Sequence, residues 1–340
     1  MEPVPLIVTG LCTPERKRYS AGLAAATRRG LIEIPGGHAA VGGSTPTRIT
    51  PAAGDLGHVV VDVDVDVDVR HLDVVMGSPA PPIVCVIDAR HLIDDLRDGS
   101  PLDPRAPAGD DRGDVGARAR RAATLLEAAE SVSIVQWESV DTPRLSLLMA
   151  LASHLAPRAR VRLSRGPADD VRALFAARTL PSTPDEVLER AGWVHALNDS
   201  HDPHMTDPRV TTFRYERLHP FHPARLASAL DRIDAGRSGL LVRSAGFCRI
   251  ASRPGILARW DQVGSAIWID PLDAGPSADG TAQDIALTGL DLIVGDLVAT
   301  LDSALVTDAE LEEGPECWRR MPDPLPVWPP LPHERSPRER

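Results

Sequence analysis

The sequence predicts an α/β protein in two parts: a mostly parallel sheet with helices on both faces, then a smaller α+β unit, an antiparallel sheet with helices on one face. Three observations carry this. Apolar runs alternate with helix-prone stretches through the first half, and strands crowd together after residue 208 with two helical stretches among them. Between the halves, NDSHDPHMTDPR is turn chemistry throughout. The expected boundaries are a first domain at 1–165, a linker at 166–208, a second domain at 209–312 and a Pro-rich tail at 313–340.

PLIVTG opens the chain as a short strand ending at Gly10, and the Ala-rich stretch Tyr19 to Arg29 is the helix that follows. Residues 34–57 are Gly- and Pro-rich and predict a loop. VVVDVDVDVDVR alternates Asp62, Asp64, Asp66 and Asp68 with valines, which in a strand places the valines on one face and the carboxylates on the other. Four such carboxylates can gather a hard cation; the preferred reading is a solvated acidic face. PPIVCVIDARHLIDDL reads as a buried strand running into a helix, and Ser100 to Gly116 as a surface loop. Next come a helix through ARARRAATLLEAAE, a strand at SVSIVQW, a helix from Pro143 to Leu155 and a short strand at Ala159 to Leu163. The second half reads as strand RVTTFRYERL, helix PARLASALDRID, strand GLLVRSAGFCRIAS, strand ILARWDQVGSAIWIDP, strand TAQDIALTGL and helix GDLVATLDSAL.

Composition narrows the function. The 340 residues carry a formal charge of -11, which argues against nucleic-acid and membrane-surface partners, since both call for clustered Lys and Arg. MEPVPLIVTGLC lacks the basic flank and cleavage site of a secretory signal, so a cytoplasmic chain is expected. Cys12, Cys85, Cys248 and Cys317 are too scattered for a CxxC site, and no G-x-S-x-G elbow is present. Arg214, Arg217, Arg225, Arg243 and Arg249 are expected mostly as solvent-facing ion-pair partners. The histidines cluster: His195, His201, His204, His219 and His222 fall close together, and the pairs His201/His204 and His219/His222, each spaced three apart, are candidate zinc ligands. The competing reading of the second pair is structural, with Phe221 packed inward and Pro223 opening a helix.

FRYERLHPFHPARL, followed by LVRSAGFCRIASRPGILARWDQVGSAIWIDP, resembles the C-terminal domain of the CobW family of GTP-binding metallochaperones, which carries a similar R-P-F-H-P-x-R-L element. Here His219 replaces the arginine. The resemblance covers about residues 193–328, and the first half resembles the family's P-loop GTPase domain in layout. It implies a degenerate P-loop NTPase-like fold, a role in metal homeostasis with zinc as the expected metal, GTP and Mg²⁺ as family cofactors, and a metal-requiring client as partner.

The family's chemistry is not written into this sequence. A P-loop needs glycines so that backbone N–H groups wrap the phosphates, a Lys on the phosphates and a hydroxyl on Mg²⁺. After Gly10 the corresponding stretch LCTPERKR has no glycine, and Pro14 and Glu15 oppose a phosphate; Arg16 and Lys17 are the remnant cations. An N-K-x-D guanine motif needs Asn and Lys together, whereas the sole Asn is Asn198, the sole Lys is Lys17, and the aligned residues are Trp137, Glu138, Ser139 and Val140. The family's C-x-C-C metal motif is likewise missing, and Glu33-Ile34-Pro35-Gly36 meets E-x-x-G only by chance. A pseudo-GTPase is therefore expected, with no catalytic residue assigned. The alternatives are an interaction module that pairs with an intact paralogue and a GTP hydrolase with an unorthodox P-loop.

Overall fold

A computed structural model describes residues 4–35, 58–65, 67, 69, 80–101, 117–177, 184–272 and 283–328. Asp66, Asp68 and most of the loops expected at 34–57 and 100–116 lie outside the described residues, as does the end of the tail.

The first unit lays down β1 (Leu6–Thr9), α1 (Thr13–Thr27), β2 (Gly30–Ile34), β3 (Val59–Val63), β4 (Ile83–Asp88), α2 (Leu92–Asp95), α3 (Ala117–Glu127), β5 (Ser131–Val135), α4 (Thr142–Leu155) and β6 (Arg160–Leu163). The six strands are parallel in the order β2-β3-β1-β4-β5-β6. Side chains alternate across the sheet as the pleat requires. Leu6, Val8, Val60, Val84 and Val86 face α1, while Ile7, Val61, Ile83, Cys85 and Ile87 face α3 and α4. The short edge strand β2 was not expected, because GLIEI begins on glycine and is largely exposed.

Residues 166–208, expected as a linker with one or two short helices, hold α5 (Pro167–Ala177), α6 (Pro184–Glu189) and α7 (Gly192–Leu197). Val171 and Leu174 of α5 join the core beneath α1, and Tyr19 of α1 donates to Asp170 at 3.0 Å. That helix therefore belongs to the first unit.

The second unit comprises β7 (Val210–Arg217), α8 (Pro223–Asp234), β8 (Leu240–Cys248), β9 (Ala258–Val263), β10 (Ala266–Pro271), β11 (Gln283–Leu290), α9 (Val294–Asp302), α10 (Asp308–Glu313) and α11 (Pro315–Trp318). Its sheet is antiparallel in the order β10-β9-β8-β11-β7. ILARWDQVGSAIWIDP, expected as one strand, is a hairpin, since the Gly264-Ser265 turn divides it. On the outer face Leu226, Ala229 and Ile233 of α8 and Leu297 and Leu301 of α9 pack over Tyr215, Phe221 and Trp260. The inner face rests on helices of the first unit, with Val210, Val242, Val263 and Leu290 sharing a core with Leu148 and Leu151 of α4.

Arg243, expected in solvent, is buried in that joint. Its Nε donates to Glu127 of α3 at 2.7 Å and its Nη1 to Asp261 of β9 at 2.6 Å. Arg120 of α3 donates to the other Asp261 oxygen at 2.9 Å and lies 4.5 Å from the Trp268 ring centroid. Burial alone raises the Asp261 carboxyl, but Arg243 and Arg120 outweigh it and hold the group at about 2. Two guanidinium and two carboxylate groups thus close the joint without a net charge. No helix among the described residues is long and apolar enough to cross a membrane.

Arg243→Ala leaves Glu127 and Asp261 buried without their cation and is expected to cost about 3–5 kcal/mol. Urea unfolding followed by tryptophan fluorescence measures this as a lowered midpoint.

Candidate functional site

The carboxyl ends of β1, β3 and β4 meet where the strand order reverses, with α1 leading to β2 on one side and α3 and α4 leading to β5 and β6 on the other. In open α/β sheets this crevice is where ligands bind. Three residues, Gly10, Leu11 and Cys12, join β1 to α1, which begins earlier than the sequence predicts. Gly10 adopts φ +153°, and a Cβ there would stand 2.4 Å from the Val86 carbonyl oxygen, so close packing of the turn on β4 demands glycine.

Arg16 is 0% exposed. Its Nε donates to Asp62 at 3.0 Å, its Nη1 to the Gly10 carbonyl at 3.1 Å and its Nη2 to Asp64 at 3.3 Å. Ser20 donates to the same Asp62 oxygen at 2.8 Å. The solvated acidic face expected for this strand is therefore corrected at its first two positions. β3 lies between β2 and β1, so neither of its edges is free, and its Asp62 side chain turns into the α1 layer, where Arg16 and Ser20 donate to it. Lys17, the next residue, points outward and donates to Glu33 of β2 at 2.8 Å.

On the other side of β1 the Cys12 thiol donates to Asp95 at 3.6 Å. Burial first, and then the nearby carboxylates of Asp95, Asp88 and Glu15, push the thiol up to about 12. Asp88 accepts from Arg90 at 2.6 Å; burial raises its carboxyl, and the Arg90 hydrogen bonds outweigh burial and lower it. The cavity beside Cys12, lined by Leu11, Cys85, Asp95 and Leu125, measures about 10 Å³, room for at most one water. After β5, Trp137 donates its indole N–H to the Ser164 carbonyl at 2.9 Å and packs against the core.

The four candidate zinc histidines sit in two places. His201 Nε2 bonds the His154 carbonyl at 3.0 Å and His204 Nδ1 bonds Ser153 Oγ at 3.0 Å, both at the end of α4. His219 Nδ1 bonds the Val306 carbonyl at 3.1 Å, and His222 Nδ1 accepts from Arg225 N at 3.4 Å, capping α8. Phe221 is fully buried and Pro223 opens α8, so the structural reading of this element describes its geometry. Among the described residues no group of three or more His, Cys, Asp or Glu is arranged to hold a metal ion.

Sequence reasoning passed over His154, a single histidine in an apolar helix. Its Nδ1 bonds Thr212 Oγ1 of β7 at 2.8 Å, and its ring lies 5.2 Å from that of His201. Burial and then His201 lower its pKa to about 4.

A parallel sheet with its crevice at the strand reversal, joined to a five-stranded antiparallel unit, defines a two-part α/β protein. Residues 210–305 match the family described as cobalamin synthesis protein cobW C-terminal domain. The zinc-regulated GTPase metalloprotein activator 1 of Dictyostelium discoideum is 23% identical over 273 residues, which cover 72% of this chain and 55% of that protein. The chain thus spans about half the length of the curated relative it matches. Two solved structures align with 90% of this chain and 100% of their own: the zinc-bound YjiA GTPase from E. coli (TM-score 0.35, 10% identity) and a zinc-bound triple mutant of YjiA GTPase (TM-score 0.34, 9% identity).

Arg16→Ala strands Asp62 in the interior and is expected to lower stability by about 3–5 kcal/mol, with part recovered in the double variant Arg16→Ala/Asp62→Asn. Urea midpoints of the two variants decide this. The His154 ring also sets a pH dependence. Between its ordinary value of 6.5 and about 4 the folded chain binds fewer protons than the unfolded one. The stability tied to the neutral ring is thus complete above about pH 6.5 and lost as the pH falls toward 4. Unfolding midpoints from pH 7 to pH 4.5 should fall less in His154→Gln than in the wild type.

Proposed function

We propose that this chain is a zinc-related metal-homeostasis protein of the CobW kind that works through its C-terminal unit, on a metal-requiring client protein or an intact paralogue, without a nucleotide cycle. The observation that carries the reading is the buried Arg16 guanidinium, with donors engaged by Gly10, Asp62 and Asp64 at the carboxyl end of the sheet. A triphosphate calls for a cradle of free backbone N–H groups, a cation and room for Mg²⁺. Here the turn is packed on Val86 and the buried cation is consumed internally. The residues present do not fit GTP with Mg²⁺.

The name of the Dictyostelium relative supports the link to zinc. Burial pushes the Cys85 and Cys248 thiols up to about 12, and no ligand set is assembled among the described residues, which favours a second reading: an interaction module in which the partner holds the metal. The acidic balance speaks against nucleic acid or a membrane as that partner.

Titration with a fluorescent GTP analogue plus Mg²⁺, with and without one equivalent of zinc, tests both readings when metal content is measured in parallel. The expected result is no saturable binding below about 100 μM nucleotide. Zinc-dependent saturable binding that disappears in Lys17→Ala would restore an active GTPase. Stoichiometric zinc without nucleotide separates the metal-binding reading from the module that holds none.

A further inference from the structure

The tail from Pro322 to Trp328 runs over the edge of the antiparallel sheet, where β10 is the last strand. Pro322, Pro324 and Pro326 supply no N–H groups, so this stretch is ill suited to a helix or a ladder, and its carbonyls are left to other partners. Arg253 takes them: its Nη2 donates to the Leu325 carbonyl at 3.2 Å and to the Pro326 carbonyl at 2.9 Å. Its Nε donates to Asp323 at 2.9 Å, and Ser252 donates to the same carboxylate oxygen at 2.6 Å. The guanidinium carbon lies 4.3 Å from the Trp328 ring centroid, and the indole N–H donates to the Ile269 carbonyl of β10 at 2.6 Å. Leu325 and Trp328 pack on the outer core beside Ile267 and Ile269. One arginine therefore contacts an acid, two backbone carbonyls and an aromatic ring of the same six-residue segment, which is how a receptor holds a docked peptide.

All of these contacts lie on one side of the segment, around Arg253 and β10. Pro324 and Pro326 are exposed and Val327 is 94% exposed, while the Asp323 side chain is only 20% exposed beneath Arg253 and Ser252. A stretch held from one surface opens without unpairing either sheet and uncovers an edge strand able to accept another chain. The seat has its own supports: Arg253 stands in a turn closed by its N–H on the Ile250 carbonyl at 3.0 Å, and Ile267 and Ile269 are paired to β9.

We propose that residues 323–328 are an internal ligand, and that the seat around Arg253 takes in exchange an extended, proline-punctuated segment of a partner protein. The chemistry of the present occupant specifies that segment: an acidic residue two positions before a leucine, and an aromatic ring three positions after it. The tail is tethered, so its effective concentration is on the order of millimolar and an outside segment binds only once the tail is released. The seat lies in the C-terminal unit and stands whether or not a nucleotide binds at the other end of the chain.

The test is fluorescence anisotropy of a labelled peptide PDPLPVWPPL titrated with the full-length protein. The Trp328→Ala variant, whose own tail has lost its anchor, is expected to bind the peptide at least tenfold more tightly than the wild type. Binding to that variant should be lost when the peptide's tryptophan is replaced by alanine, weakened when its aspartate becomes asparagine, and lost when Arg253→Ala is added to the protein. The peptide substitutions keep the test valid if Arg253→Ala fails to fold. No binding to Trp328→Ala, or binding indifferent to the peptide's tryptophan, overturns the proposal. Wild-type dimers that exchange tails, seen by light scattering and lost in Trp328→Ala, overturn it as well by making the occupant a second copy of this chain.

Discussion

A guanidinium sealed from water must find its counter-charges inside the protein, and the pairing of Arg16 with Asp62 ties together the parts on which the parallel sheet depends. It joins the first turns of α1 to the end of β3, and through the Gly10 carbonyl it fixes the exit of β1. The turn after β1 can then be short and can press on β4, which only glycine at position 10 permits. Polar groups that a ligand site would present outward are directed inward, where they bond one another.

The joint between the sheets follows the same rule. Arg243 and Asp261 come from the antiparallel sheet and Arg120 and Glu127 from α3, so each unit contributes one cation and one anion to a closed set. Around it the core is continuous, with α4 packed between the two sheets. The inner face of the second sheet is consumed by this contact and its outer face by α8 and α9, which leaves its edges and loops as the places where another molecule can reach it.

The strands of PLIVTG, PPIVCVID and SVSIVQW were legible in the sequence, as was the change from a parallel to an antiparallel sheet, whereas β2, also bounded by glycine and proline, was not. The hairpin at Gly264 was hidden because its two-residue turn interrupts a long β-prone run. The alternating aspartates misled for a physical reason: alternation marks two faces and does not say that one of them meets water. Asp62 finds its cation 46 positions away, and Arg243 finds Glu127 116 positions away, separations at which local pattern carries no information. The histidine cluster was legible as composition, yet each side chain is taken by a nearby backbone or hydroxyl group, a competition that spacing cannot reveal.

The two ends of the molecule treat their polar chemistry in opposite ways, and that contrast bears on where recognition resides. In the first unit the cation at the strand reversal is 0% exposed and saturated by fixed partners of the folded core. In the second, Arg253 is spent on a surface segment in which Pro324, Pro326 and Val327 are exposed. Displacing a core partner requires the sheet to open, whereas displacing the tail breaks surface contacts and leaves both sheets paired. A surface able to exchange partners while the fold stays intact therefore lies at the edge of the antiparallel sheet, and the parallel sheet serves as the rigid body that holds it.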